Sequence, residues 1–446
     1  MRLPHACRWV PLLAPVVLAG CNDPVGARAG IAGLQVVAGD AQIRVAGKPV
    51  RVRPTVQAVD ARGAGVPGIA ITFVASRGAS VEPAVVFTDQ QGRAAPAAWV
   101  PRPDGVEDTL LAVTESGDTA RFSGTALIFT EISAGIAASC GTTNVGLAFC
   151  WGFNGNGRLG VGDTVIRLVP AVVRGPVRYT KFLAGNYGNC GLGRDGQAYC
   201  AGALIPVQGI QPPGDLIPAL QPGGLHFADL ALPELGPVCG LAEDRRIYCW
   251  GATSGLPRAP LAIPDQLGSG FLEISAAGGS IGLPESSNQV CGITRLGEVA
   301  CYNLWVLGGR TQAPFTVVNA VQVAASHRGV CTRDPVGAVL CHGPYYPVPG
   351  SLAMAMPSAT DIEGGLFTTC AATVNGIYCW DLLNPVVTLV PGTYGRAWRR
   401  VSIGDGHSCA LDDTGMPWCW GENGAGQLGD GTTTTRTTPV RAVFDY

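Results

Sequence analysis

At 446 residues the chain is long enough for two or three domains and needs no metal or cofactor to hold a core together. The formal net charge is -2, and arginines are scattered among acids rather than clustered, which excludes the electrostatic footprint of a nucleic-acid binder. Gly (63) and Pro (34) are abundant, and no 12-residue stretch beyond the N-terminus keeps a clean helical period, so the sequence predicts an all-β protein. Lysine occurs only at Lys48 and Lys181, from which no mechanism is read.

Residues 1–20 carry Arg2 and Arg8 and then an apolar run from Trp9 to Gly20, too short to span a bilayer but suited to export. The run ends in Leu18-Ala19-Gly20-Cys21, which resembles the bacterial lipobox. That resemblance implies cleavage before Cys21, acylation of its sulfur and of the new amine, and a lipid-anchored protein of the cell envelope. At about 0.8 kcal/mol per buried methylene, two or three acyl chains hold a protein on a membrane essentially permanently. Asn22 and Asp23 follow, and which membrane and which face receive the protein stays open. Residues 21–33 are the expected anchor and linker.

Residues 34–127 hold short alternating segments punctuated by turn residues. Val56–Gly63, Val66–Phe73 and Thr88–Ala94 resemble a bacterial immunoglobulin-like domain of the invasin type. The resemblance implies a β-sandwich, held by an apolar core alone because it contains no cysteine, and acting as a spacer.

Cysteines organise residues 128–446. Of 16 in the chain, Cys7 lies in the signal and Cys21 is the anchor. The rest form local pairs: Cys140 with Cys150, Cys190 with Cys200, Cys239 with Cys249, Cys291 with Cys301, Cys331 with Cys341, Cys370 with Cys379 and Cys409 with Cys419. First cysteines recur every 39 to 52 residues, the period of propeller blades, so seven repeats imply seven blades. Apolar residues flank a polar turn inside each pair, as in Cys409-Ala410-Leu411 before Asp412-Asp413-Thr414-Gly415, which is a hairpin pattern. Facing Cβ atoms in such a hairpin are about 4.5–5.5 Å apart, which admits a cross-strand disulfide. Zinc would require converging knuckles of the C-x2-4-C kind, which the sequence lacks.

The last repeat runs Val401-Ser402-Ile403-Gly404-Asp405-Gly406-His407-Ser408-Cys409, then Trp420-Gly421-Glu422-Asn423-Gly424-Ala425-Gly426-Gln427-Leu428-Gly429. It resembles the RCC1 (regulator of chromosome condensation) repeat, as does the first, with Ile132-Ser133-Ala134-Gly135 and Trp151-Gly152-Phe153-Asn154-Gly155-Asn156-Gly157-Arg158-Leu159-Gly160. Repeats two to six keep the cysteine hairpins but replace the Asn-to-Gly segment with irregular stretches such as Leu204–Gly224, Leu256–Gly270 and His342–Thr360. The resemblance implies a closed seven-bladed β-propeller, its well-matched ends adjacent. A last strand near Thr438–Phe444 is expected beside the first, Ala126–Ile132.

Several motifs imitate chemistry. Gly155-x-Gly-x-x-Gly160 and Gly424-x-Gly-x-x-Gly429 match a dinucleotide fingerprint but precede no helix, so both read as turns. Gly278-Gly279-Ser280-Ile281-Gly282 matches a nucleophile elbow, yet Leu283-Pro284 follows where a helix is required, so a loop is expected. Asp430-Gly431-Thr432 and Asp163-Thr164 lack the alternating acids of a calcium loop. His407 is read as a brace for neighbouring backbone, and His226, His327 and His342 have no partners at metal-ligand spacing. The functional expectation is therefore a non-enzymatic, cofactor-free module that recognises an unidentified protein partner at the envelope. The alternatives are an inhibitor or regulator of an extracytoplasmic enzyme, since RCC1 propellers include a nucleotide-exchange factor for a small GTPase and a secreted β-lactamase inhibitor, and an unrecognised enzyme. Exchange activity fits poorly with an exported chain.

Overall fold

A computed structural model describes residues 30–203, 215–233, 236–251, 260–263, 270–278, 289–304, 315–317, 319–327, 329–343, 352–381 and 386–444. The signal, Cys21 and the Gly279–Gly282 portion of the serine motif lie outside the described residues. Regular structure among the described residues is all β, and no helix there is long and apolar enough to cross a membrane. The chain divides into two compact units: residues up to Gln42 with Val50–Trp99 and Thr109–Ser123, and Ile43–Pro49 with Val100–Asp108 and everything from Gly124.

The N-terminal strands make a three-stranded sheet of Gly33–Ala38, Thr55–Val59 and Arg93–Ala94 and a five-stranded sheet in the order Gln42–Val45, Thr119–Leu127, Glu107–Thr114, Ala70–Ala75, Val85–Phe87. Alternation does the work that periodicity predicts: every second residue of Glu107–Thr114 is buried. Val56, Ile71, Phe73, Trp99, Leu110 and Phe122 meet in one apolar core. The segments Val56–Gly63 and Val66–Phe73 are only partly strand, because Asp60 turns the chain by accepting the backbone N–H groups of Arg62 and Ala64 at 2.8 and 2.9 Å.

Among the described residues the larger unit contains seven four-stranded antiparallel sheets, each built from four strands consecutive in sequence. Their first strands are Phe129–Ala134, Tyr179–Leu183, Phe227–Ala231, Phe271–Ala277, Gln322–Ser326, Ala359–Gly364 and Trp398–Ile403. The second and third strands carry the cysteine pairs at directly facing positions, with Cα atoms 4.0–4.1 Å apart. Cys140 faces Cys150, Cys190 faces Cys200, Cys239 faces Cys249 and Cys291 faces Cys301 in the first four sheets. In the last three, Cys331 faces Cys341, Cys370 faces Cys379 and Cys409 faces Cys419. Every one of these pairs is joined by a disulfide, so each bond stays within its own hairpin.

A glycine follows the first cysteine in the first four sheets because an aromatic ring of the first strand lies against it. A Cβ at Gly141, Gly191, Gly240 or Gly292 would sit 2.6, 2.3, 2.4 or 2.5 Å from Phe129, Phe182, Phe227 or Phe271.

The terminal strand departs from expectation. Arg436–Arg441 pairs with Pro417–Gly421 as the outermost strand of the last sheet, not beside the first strand of the first sheet. The ladder is available there because Cys419 faces Val440 and Trp418 faces Arg441, whereas Phe129–Ala134 pairs with Ala138–Thr143. Phe444 still reaches the first sheet, its ring 5.1 Å from Phe129. The irregular segments also carry order: Asp215–Leu220, Leu261–Ala262 and Leu352–Ala353 are fourth strands of their sheets.

Candidate functional site

Each first strand contributes one residue at an equivalent position to a common cavity of about 370 Å³: Glu131, Lys181, Asp229, Glu273, Gln322, Asp361 and Arg400. In six of the seven sheets the register slips immediately before that residue, between Phe129 and Glu131, Tyr179 and Lys181, Phe227 and Asp229, Phe271 and Glu273, Ala359 and Asp361, and Trp398 and Arg400. A β-bulge re-aims the side chain that follows it, and here it sets a polar residue after a buried aromatic or alanine. Threonines on the bulges satisfy the disturbed ladder: the hydroxyls of Thr130 and Thr180 donate to the carbonyls of Thr142 and Leu192 at 3.2 Å, and that of Thr360 donates across to the Trp398 carbonyl of the next sheet at 2.7 Å.

The ring is knitted by contacts between consecutive sheets. Lys181 Nζ donates to Asp229 Oδ1 at 2.8 Å and to the Leu230 carbonyl at 3.1 Å. Glu273 Oε2 accepts the Val323 N–H at 3.0 Å, Gln322 Nε2 donates to Asp361 Oδ1 at 2.7 Å, and Asp361 Oδ2 accepts the Val401 N–H at 3.0 Å. Arg400 spans the sixth, seventh and first sheets, with 3.2 Å to Asp361 and 3.1 Å to Glu131. Two residues further along the strands, Ser133, Ser275 and Ser402 accept the N–H groups of Ala184, Ala325 and Ala134, each at 3.0 Å. The contacts from Arg400 and Ser402 join the last sheet to the first.

Burial and neighbouring charge tune the acids. Burial pushes the Glu273 carboxyl up to about 8, with the Asp229 charge adding to it. Glu363, two positions beyond Asp361, is likewise pushed up to about 8 by burial and then by Asp361. Glu131 is raised by burial despite Arg400. Burial works against the Lys181 ammonium, but Asp229 and Glu131 outweigh it and hold that ammonium above its ordinary value. The lysine that carried no message in the sequence is thus one of two cations in this ring.

The sequence motifs fall elsewhere. The cysteine pairs lie in the second and third strands and do not line the cavity. Both glycine motifs are turns that reach over the next sheet: a Cβ at Gly157 (φ +71) would meet Leu216 at 2.5 Å, and one at Gly426 (φ +78) would meet Leu168 at 2.5 Å. Asn154 and Asn423 hold these turns, each accepting from a leucine N–H, Leu159 or Leu428, at 3.0 Å. Asp163 and Asp430 pair with Arg167 and Arg436. No group of three metal-ligating side chains occurs among the described residues.

His407 braces through a side chain rather than directly. Its Nε2 is 2.7 Å from Ser139 Oγ, which in turn is 2.8 Å from the Gln427 carbonyl. Ser139 donates its proton to that carbonyl, so Nε2 carries a hydrogen and donates to Oγ. A histidine in that form does not deprotonate the serine. His407 is 2% exposed, and burial pushes it down to about 4.

Residues 146–192 match the model of the regulator of chromosome condensation (RCC1) repeat, and residues 398–427 match a second model of the same repeat. The chain carries RCC1 repeats. Yeast RCC1 (Prp20), in its crystal structure with Kap60, is similar at 14% identity over 72% of this chain and 84% of its own, with a TM-score of 0.53. Human WBSCR16 is 13% identical over 84% of this chain and 95% of its own, with a TM-score of 0.43. The larger unit accordingly has an RCC1-like propeller fold, its first strands lining the central channel.

Proposed function

We propose that the chain is a bacterial envelope lipoprotein, anchored at Cys21, in which an immunoglobulin-like sandwich serves as spacer and a seven-bladed RCC1-like propeller recognises a protein partner without turning over a substrate. The observation that carries recognition is an exposed apolar set on and beside the fourth strands of the first two blades. Val165, Ile166 and Leu168 are 61, 43 and 36% exposed, and Leu216, Ile217 and Leu220 are 40, 45 and 52% exposed. Apolar side chains held in water on a rigid frame are what a protein interface uses. Leu216–Leu220 falls within the stretch where the repeats diverge from their common pattern.

Seven hairpin disulfides support the compartment, because such bonds persist in oxidising surroundings. The test is cross-linked capture from the native envelope with the oxidised mature protein as bait and a V165S/L216S/L220S variant as control. A partner retained by the wild type and lost by the variant is expected; identical captures overturn recognition through this surface.

A further inference from the structure

We propose that the central channel binds a small organic cation, an aliphatic amine in its ammonium form, with Glu273 and Glu363 as its counter-ions. This inference is independent of the protein partner proposed above.

It starts from charge matching in the cavity that the first strands line. Lys181 neutralises Asp229, and Arg400 is shared between Glu131 and Asp361. The first strand of the fifth sheet supplies the neutral Gln322, and no salt bridge pairs Glu273 or Glu363 with a cation among the described residues, Lys181 acting on both only from beyond salt-bridge distance. One oxygen of Glu273 accepts the Val323 N–H, while the Glu363 side chain, which also lines the cavity, makes neither a hydrogen bond nor a salt bridge among the described residues. Half-buried carboxylates without a paired cation are costly to keep ionised, and their combined field draws a cation into the cavity.

The cavity selects among cations. A divalent metal needs converging oxygens at about 2.0–2.6 Å, and no group of three acidic or other ligating side chains meets that need among the described residues. The volume of about 370 Å³ lies in the range of small-molecule sites. Alanines and the alkyl chains of Leu183 and Leu232 share the lining with the acids, which suits a chain of methylenes carrying an ammonium head.

Occupancy has a proton balance. Burial holds both acids in the protonated form near neutral pH, each near 8. An entering ammonium favours the carboxylate, so each acid that becomes its counter-ion releases one proton to solvent while the amine keeps its own. Binding therefore tightens as pH rises toward 8.

The experiment titrates 1,4-diaminobutane into the oxidised full-length protein by calorimetry at pH 7, in two buffers of different ionisation enthalpy, with 1,4-butanediol and succinate as the neutral and anionic controls. The expected result is heat from the diamine alone, a buffer dependence reporting net proton release, and at least tenfold tighter binding at pH 8.5 than at pH 6. The E273Q/E363Q variant, whose amides resemble the protonated acids in shape, should lose at least tenfold in affinity and show no proton release. Should that variant fail to fold, the buffer dependence of the wild type decides alone. Absence of diamine binding at millimolar concentration, equal binding of butanediol, or binding without proton release overturns the proposal.

Discussion

Lowering the pH should unlock the seam at His407. The imidazole is buried and neutral, pushed down to about 4 by burial, against about 6.5 in an unfolded chain. Between those values the unfolded state binds one more proton than the folded state, so this residue's contribution is complete above pH 6.5 and is lost as pH falls toward 4. The gap corresponds to about 3 kcal/mol. Glu273 and Glu363 work in the opposite sense: raised to about 8, they bind protons in the fold that an unfolded chain has released, so stability falls as pH rises from about 4.5 to 8. The wild-type curve sums these trends, and only a difference isolates the histidine. In H407Q a side-chain amide can still donate to Ser139 Oγ but does not titrate. Urea unfolding of oxidised wild type and H407Q, followed by tryptophan fluorescence at pH 4, 5, 6 and 7, should give curves whose separation changes by about 3 kcal/mol across that range, the wild type losing more toward acid. A constant separation would refute the assignment of a neutral, buried His407.

Further perturbations test the frame. R400M removes the cation that serves both Glu131 and Asp361, and because Arg400 is 40% exposed its loss should cost about 1–2 kcal/mol in urea unfolding rather than the full penalty of a buried pair. N423A deletes the acceptor for Leu428 N–H and the donor to the Thr432 carbonyl, both at 3.0 Å, and should cost about 1–3 kcal/mol in the same assay. C370A/C379A opens one loop of about ten residues and should lower stability by about 2.5–3 kcal/mol without changing far-ultraviolet circular dichroism.

What the sequence made legible follows from local spacing. Cysteines ten residues apart around a turn face each other in a hairpin whatever surrounds them, so Cys409 and Cys419 were readable in isolation. The glycine motifs were readable as turns for the same reason, since Asn423 holds its own loop. The channel is hard to see in the sequence, because its ring of polar side chains takes a single residue from each repeat and its contacts cross between sheets, as Arg400 meets Glu131. A signal was present nonetheless: Glu131, Lys181, Gln322, Asp361 and Arg400 each stand at one fixed spacing before the first cysteine of their repeat. Asp229 is one residue out of step and Glu273 is separated from Cys291 by a longer segment, which blurs the column. Sequence alone does not place the terminal strand, because β-branched residues such as Thr438 and Val440 suit any sheet edge, and only the register with Trp418 and Cys419 selects the outer one.

The most direct test is mass spectrometry of the mature protein extracted from its native envelope and digested without reduction. An acylated N-terminal peptide beginning at Cys21 is predicted, together with seven disulfides, each within one repeat. A chain that begins at Met1, or one whose hairpin cysteines are free or paired between repeats, would contradict an exported, oxidised and lipid-anchored propeller.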